Sequence, residues 1–203
     1  MDQEVPLFKD FIRKVDAEAK EVPATEVVIT APMLPVGKTQ PIKPNQLPAE
    51  IVAILTARIH DEYKAHYMYR NASNWCRDKN YSKAASYFEK EAAYELDHAK
   101  MLQDYIVDFN VVAVIPPAET LADYSSLIDI VNKAYEFEYY LMKAYNENSL
   151  TVFTKDLVTF DFLEKFREIQ KESVVEYSDL LNAAALVDAN DGFQILYFEQ
   201  TYF

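Results

Sequence analysis

The chain has 203 residues, enough for one compact domain, and only two glycines, Gly37 and Gly192, among 50% apolar residues, which disfavours turn-rich sheet architectures and favours long helices. Acidic residues outnumber basic ones 33 to 20, and the formal charge of −13 repels phosphate backbones, argues against nucleic-acid binding and attracts cations. Cys76 is the only cysteine, so there is no internal disulfide and no cysteine-built zinc or iron–sulfur site; with neither a membrane-length apolar run nor a signal-peptide core, the expectation is a cytoplasmic protein with no membrane partner.

Residues 1–47 read as an N-terminal arm. A short helix is expected from Pro6 to Ala19, after which prolines at 23, 32, 35, 41 and 44 forbid a continuing helix. The arm is expected to be extended, with one strand at Glu26 to Thr30, because VVIT and Met33-Leu34 are more apolar than a disordered tail.

From Pro48 the apolar pattern becomes helical. The first helix is expected from Pro48 to Arg77, with proline at its start where a missing N–H is harmless. Asp78-Lys79-Asn80 breaks it, and a second helix follows from Ser82 to Phe109. The stretch NVVAVIPPAETLADY has no helical pattern and reads as a long connection. Ser125 or Ser126 then caps a third helix reaching about Leu150, and a fourth runs from about Lys155 to Val187. Gly192 is read as ending that region, and Phe193 to Phe203 as a short aromatic helix. The expected fold class is therefore all-α, with residues 48–203 forming a four-helix bundle with one long crossover and a short C-terminal helix behind the extended arm.

Turning each helix by about 100° per residue shows which side chains share a face. On the first helix Ile51, Leu55, Ile59, Tyr69 and Cys76 form an apolar stripe, with Glu62 at its middle. Glu95 sits centrally in the stripe of the second helix, with His98 one turn on. Glu138 interrupts the stripe of the third, while Glu136 points outward. On the fourth, Gln170 and Ser173 face inward, whereas Glu168 and Glu172 face solvent. A carboxylate withdrawn from water is costly unless something neutralises it, and a pair of divalent metal ions would do so.

Glu95 and His98 stand at i and i+3, so a carboxylate and an imidazole share one face and can hold one ion, or the carboxylate can bridge two. Oxygen-rich mixed ligands suit iron, manganese or zinc. Plainer roles exist for each residue. Glu62 could pair with Arg58 one turn earlier, and His98 could be a satisfied core histidine. Tyr69 could donate a hydrogen bond or take part in redox chemistry near the metals, or simply pack. Glu91 and His66 lie within about 40° of the same face and read as peripheral polar groups.

IHDEYKAHYMY from Ile59 to Tyr69, EAAYELDHAKML, ADYSSLIDIVNKAYEFE, FDFLEKFREIQ and ILYFEQ occur in this order and resemble segments of the ferritins, most closely the bacterial non-haem type, from Leu47 to Phe203. The resemblance implies that Glu62, Glu95 and His98 hold one iron and that Glu95 bridges to a second held by Glu138. It places Gln170 beside the second ion and Tyr69 beside the centre. It further implies a ferroxidase that oxidises Fe(II) with dioxygen or peroxide, and a homo-oligomeric shell of twenty-four subunits storing the mineral. Tyr94, Ile169 and Ser173 stand where bacterial members often carry the acidic residues of a third iron site, so that site is expected to be absent or altered. Leu96 replaces the methionine of haem-binding relatives, so no haem is expected. Ser173 also replaces the second Glu-x-x-His histidine of related di-iron oxygenases. The competing functions are a di-iron or di-manganese oxygenase or peroxidase, and a non-catalytic metal-binding shell protein.

Overall fold

The computed structural model describes residues 46–119 and 123–203. The expected helix at Pro6 to Ala19, the strand at Glu26 to Thr30 and the rest of the arm through residue 45 lie outside the described residues. Within them the chain forms five helices and no strand: α1 (Ala49–Asp78), α2 (Ser82–Asp108), α3 (Leu127–Phe153), α4 (Leu157–Ala184) and α5 (Gly192–Tyr202). None is long and apolar enough to cross a membrane.

The helix ends follow local chemistry. Asn80 adopts φ 64°, a left-handed conformation that asparagine tolerates better than most residues, and this turns the chain from α1 into α2. Ser126 accepts a hydrogen bond from the Asp129 amide at 3.0 Å, and the Asp129 carboxylate accepts one from the Ser125 amide at 2.8 Å, closing the start of α3 reciprocally. Asp156 caps α4 through the Thr159 amide at 2.8 Å. Asp191 caps α5 through the Phe193 amide at 2.9 Å, so Gly192 opens the terminal helix, a correction to its reading as the end of the preceding region.

Helix α2 is capped from a distance. Its own N-cap, Tyr81, makes no side-chain cap bond; the Glu199 carboxylate of α5 accepts from the amides of Lys83 at 2.7 Å and Ala84 at 3.1 Å. A negative group at a helix N-terminus satisfies orphan N–H donors and complements the macrodipole, so this fully buried residue fastens α5 to the bundle. Glu199→Ala is expected to destabilise the protein by about 1–3 kcal/mol, since it leaves two amides without their acceptor. A shift of roughly 2–4 °C in melting temperature per kcal/mol makes the loss measurable, and an unchanged melting curve would show that the cap is dispensable.

Cross-helix bonds set the directions. Arg70 meets Glu89 and Gln103 meets Tyr63, so α1 and α2 run antiparallel. Tyr87 meets Glu176 and Tyr105 meets Thr159, so α2 and α4 are also antiparallel. Tyr145 reaches Glu62 while Tyr69 reaches Glu138, which makes α1 and α3 antiparallel too. Helices α2 and α3 are therefore parallel, so the end of α2 and the start of α3 stand at opposite ends of the bundle, about 40 Å apart for helices of this size. That arrangement calls for the long crossover expected from the sequence.

The core is divided. One apolar cluster gathers Ile51, Leu55, Ile106, Leu141 and Phe166, and the other gathers Tyr69, Ala84, Phe88, Val131 and Tyr177. Between the two lies a buried polar layer containing Glu62, Glu95, Glu138 and Gln170, all no more than 3% exposed. The four long helices each give one residue to it.

Candidate metal centre

Glu62, Glu95 and His98 converge: one ligand atom from each lies within 4.8 Å of the others. His98 Nδ1 is 2.9 Å from Glu95 Oε2 and 3.7 Å from Glu62 Oε2. Glu62 Oε2 is buried without a hydrogen-bond partner, a state that a bound cation would relieve. Glu138 faces the same layer from α3, where the Tyr69 hydroxyl donates to its Oε1. With its amide oriented to satisfy both ends, Gln170 donates to Glu138 Oε2 at 2.9 Å and to the Glu138 carbonyl at 3.1 Å. All six residues singled out in the sequence thus stand in or against one layer.

The plainer roles separate in the structure. Arg58 pairs with Asp61 at 2.7 Å, both buried, and leaves Glu62 free for the centre. His66 Nδ1 lies 2.6 Å from the Ala92 carbonyl, so that ring serves the α1–α2 contact. Glu91 is half-buried outside the triad; burial and then the charge of Glu176 push its carboxyl up to about 7. Ser173 donates back to the Ile169 carbonyl at 3.2 Å, as an ordinary helical serine does. Sequence reasoning missed Tyr145, because a phenol continues the apolar stripe of α3 without interrupting it. Its hydroxyl donates to Glu62 Oε1 from a fully buried position.

The electrostatics of this layer are set by burial and by the closeness of its carboxyls to the imidazole. Burial, reinforced by the charges of Glu138 and Glu62, pushes the Glu95 carboxyl well above the ordinary range, against the pull of His98. Burial likewise raises Glu138 to about 8, opposed by the Tyr69 hydrogen bond and assisted by Glu62. Burial alone would lower the pKa of His98, but its contacts with Glu62 and Glu95 outweigh that and raise it to about 10. These shifts favour the protonated forms, and a divalent ion bound here would displace those protons.

Comparison with known proteins identifies the family. A ferritin-like domain matches residues 52–187. A bacterial non-heme ferritin of Campylobacter jejuni is 29% identical over 145 residues, covering 70% of this chain and 86% of that protein. A probable bacterial non-heme ferritin-like protein of Haemophilus influenzae is 28% identical over 138 residues, covering 67% and 84%. Among solved structures, a Chlorobium tepidum ferritin superposes with a TM-score of 0.69 at 26% identity, covering 76% of this chain and 96% of that one. An open-pore ferritin from Archaeoglobus fulgidus shares the fold, with a TM-score of 0.72 at 18% identity over 77% and 98% of the two chains. With the domain match spanning more than half of its length and five helices in the ferritin arrangement, the chain belongs to the ferritin family, with its similarity to the bacterial non-heme type.

Proposed function

We propose that this protein stores and detoxifies iron by oxidising Fe(II) to Fe(III) at a di-iron centre and retaining the product in a homo-oligomeric shell, twenty-four subunits by family resemblance. The observation that carries this reading is the convergence of buried Glu62 and Glu95 with half-buried His98, Glu62 Oε2 accepting no hydrogen bond, in a chain of the ferritin family. In this reading Glu62, Glu95 and His98 bind the first Fe(II), and Glu95 bridges to a second bound by Glu138. Gln170 sits beside that second ion and orients it or its water through a neutral amide. Tyr69 holds Glu138 from the opposite helix. Hard carboxylate oxygens favour Fe(III) over Fe(II), so the ligand set itself assists oxidation by dioxygen or peroxide.

Leu157 and Val158 at the start of α4 and Phe193 and Tyr197 on α5 are each at least 60% exposed, apolar side chains that association of subunits would cover. The formal charge of −13 favours accumulation of cations. Aerobic addition of Fe(II) to the metal-free protein, followed by absorbance and particle size together, tests the proposal. Fe(II) is expected to oxidise faster than in buffer, and iron far in excess of two per chain is expected to co-migrate with a large assembly. Turnover without retained iron would favour an oxygenase or peroxidase instead, and two bound ions without turnover would favour a non-catalytic shell protein.

A further inference from the structure

One spacing occurs twice in the centre. Tyr69 follows Glu62 by seven residues on α1, and Tyr145 follows Glu138 by seven on α3. Seven residues are about two helical turns, so each phenol shares a face with its own helix's carboxylate, roughly 10 Å along the axis. Because α1 and α3 are antiparallel, each phenol meets the carboxylate of the other helix. Tyr69 donates to Glu138 Oε1, and Tyr145 donates to Glu62 Oε1. Parallel helices would have set carboxylate against carboxylate.

The two bonds leave different atoms free. Glu138 Oε2 accepts from the Gln170 amide, whereas Glu62 Oε2 has no hydrogen-bond partner and faces His98 Nδ1 at 3.7 Å. Packing accounts for the Tyr145 ring, which stacks on Phe166 with centroids 5.0 Å apart and planes 12° from parallel. It does not account for the hydroxyl, since phenylalanine would fill the same space and a buried O–H needs an acceptor. The guanidinium of Arg58, fixed by Asp61, lies 5.8 Å from the centroid of the same ring. A cation against the ring draws electron density from the phenol and strengthens its O–H as a donor.

We infer that Tyr145 is a positioning residue of the metal centre: its hydroxyl holds Glu62 Oε1 so that Oε2 alone is presented to the ion shared with Glu95 and His98. The inference rests on the metal-centre reading above. A carboxylate released from that hydrogen bond can rotate and close over the ion with both oxygens, filling a coordination position that an oxidant needs.

Titration of the full-length, metal-free protein with Co(II) under anaerobic conditions tests this, read by calorimetry and by the visible spectrum of the bound ion, which reports its coordination number. Wild type is expected to bind two ions per chain in two steps. Tyr145→Phe is expected still to bind two, with the first step weakened about 10-fold, its Co(II) spectrum altered and the second step unchanged. Tyr69→Phe is expected to affect the second step instead. Incorporation of 3-fluorotyrosine at position 145, which keeps the hydroxyl, is expected to restore the wild-type first step and spectrum. A first step and spectrum identical in Tyr145→Phe and wild type would overturn the inference while leaving the two-ion centre standing. Equal weakening of both steps, or failure of 3-fluorotyrosine to restore the first, would make the hydroxyl merely structural and overturn it as well. A wild-type protein that binds fewer than two Co(II) ions would overturn the metal-centre reading and the inference together.

Discussion

Replacement of Glu95 by alanine is expected to abolish rapid Fe(II) oxidation, lowering the initial rate by on the order of 100-fold or more, a larger loss than removal of a group that only supports a ligand. Glu95 lies on α2 within the triad, hydrogen-bonded to His98, and is the carboxylate proposed to be shared by both ions. Loss of Glu62 or Glu138 would weaken one ion; loss of Glu95 removes a ligand from each. The fold is expected to survive its loss. Its carboxyl is raised by burial and by the neighbouring charges of Glu138 and Glu62, so its removal relieves repulsion that offsets the lost contact with His98. Circular dichroism is expected to show full helix content, with the metal-free melting temperature within a few degrees of wild type. The rate is measured by absorbance after addition of two Fe(II) per chain, and a variant that oxidises iron at the wild-type rate would remove the reaction from this centre.

The parts of the centre legible in the sequence are those where charge interrupts an apolar stripe. Glu62, Glu95 and Glu138 break helical periodicity at the middle of their helices, and a carboxylate there has no bland explanation once Arg58 is accounted for. The structure accounts for it by the Asp61 pair. Tyr145 was not legible for the same reason reversed. A phenol continues an apolar stripe without interrupting it, and its bond to Glu62 exists only because α1 and α3 run antiparallel, which a stripe on one helix does not reveal. Glu199 reads as one more surface glutamate on a short aromatic helix. Its role as cap of α2 depends on a contact with residues more than a hundred positions away in sequence. Helix ends were legible to within a few residues because serine, aspartate, asparagine and proline act locally there. Gly192 misled because a glycine that commonly closes a helix here follows the capping Asp191 and opens one.

The metal-free protein is expected to lose thermal stability as pH rises from about 5 to about 9, and bound divalent metal is expected to restore most of it at the upper end. Burial raises the folded-state pKa of Glu138 from 4.5 to about 8, so the folded protein keeps a proton that the unfolded chain releases. That contribution is fully present below pH 4.5 and is lost as pH rises through about 8. His98 acts in the same direction. Its contacts with Glu62 and Glu95 raise it from 6.5 to about 10, so its contribution is fully present below pH 6.5 and is lost as pH rises through about 10. A divalent ion binds the deprotonated groups, so its stabilisation grows where the protons' contribution fades. At a free metal concentration about 1,000 times its dissociation constant, one such ion adds about 4 kcal/mol, or on the order of 10 °C for a domain of this size. Melting curves with redox-inert Zn(II) and with chelator, across pH about 5.5 to 8.5, measure the gap. It is expected to widen with pH in wild type and to widen less in Glu138→Gln, which carries no titrating carboxyl at that position. A metal-free melting temperature that climbs through this window, with no response to Zn(II), would mean that the buried carboxylates are balanced by something other than a metal site.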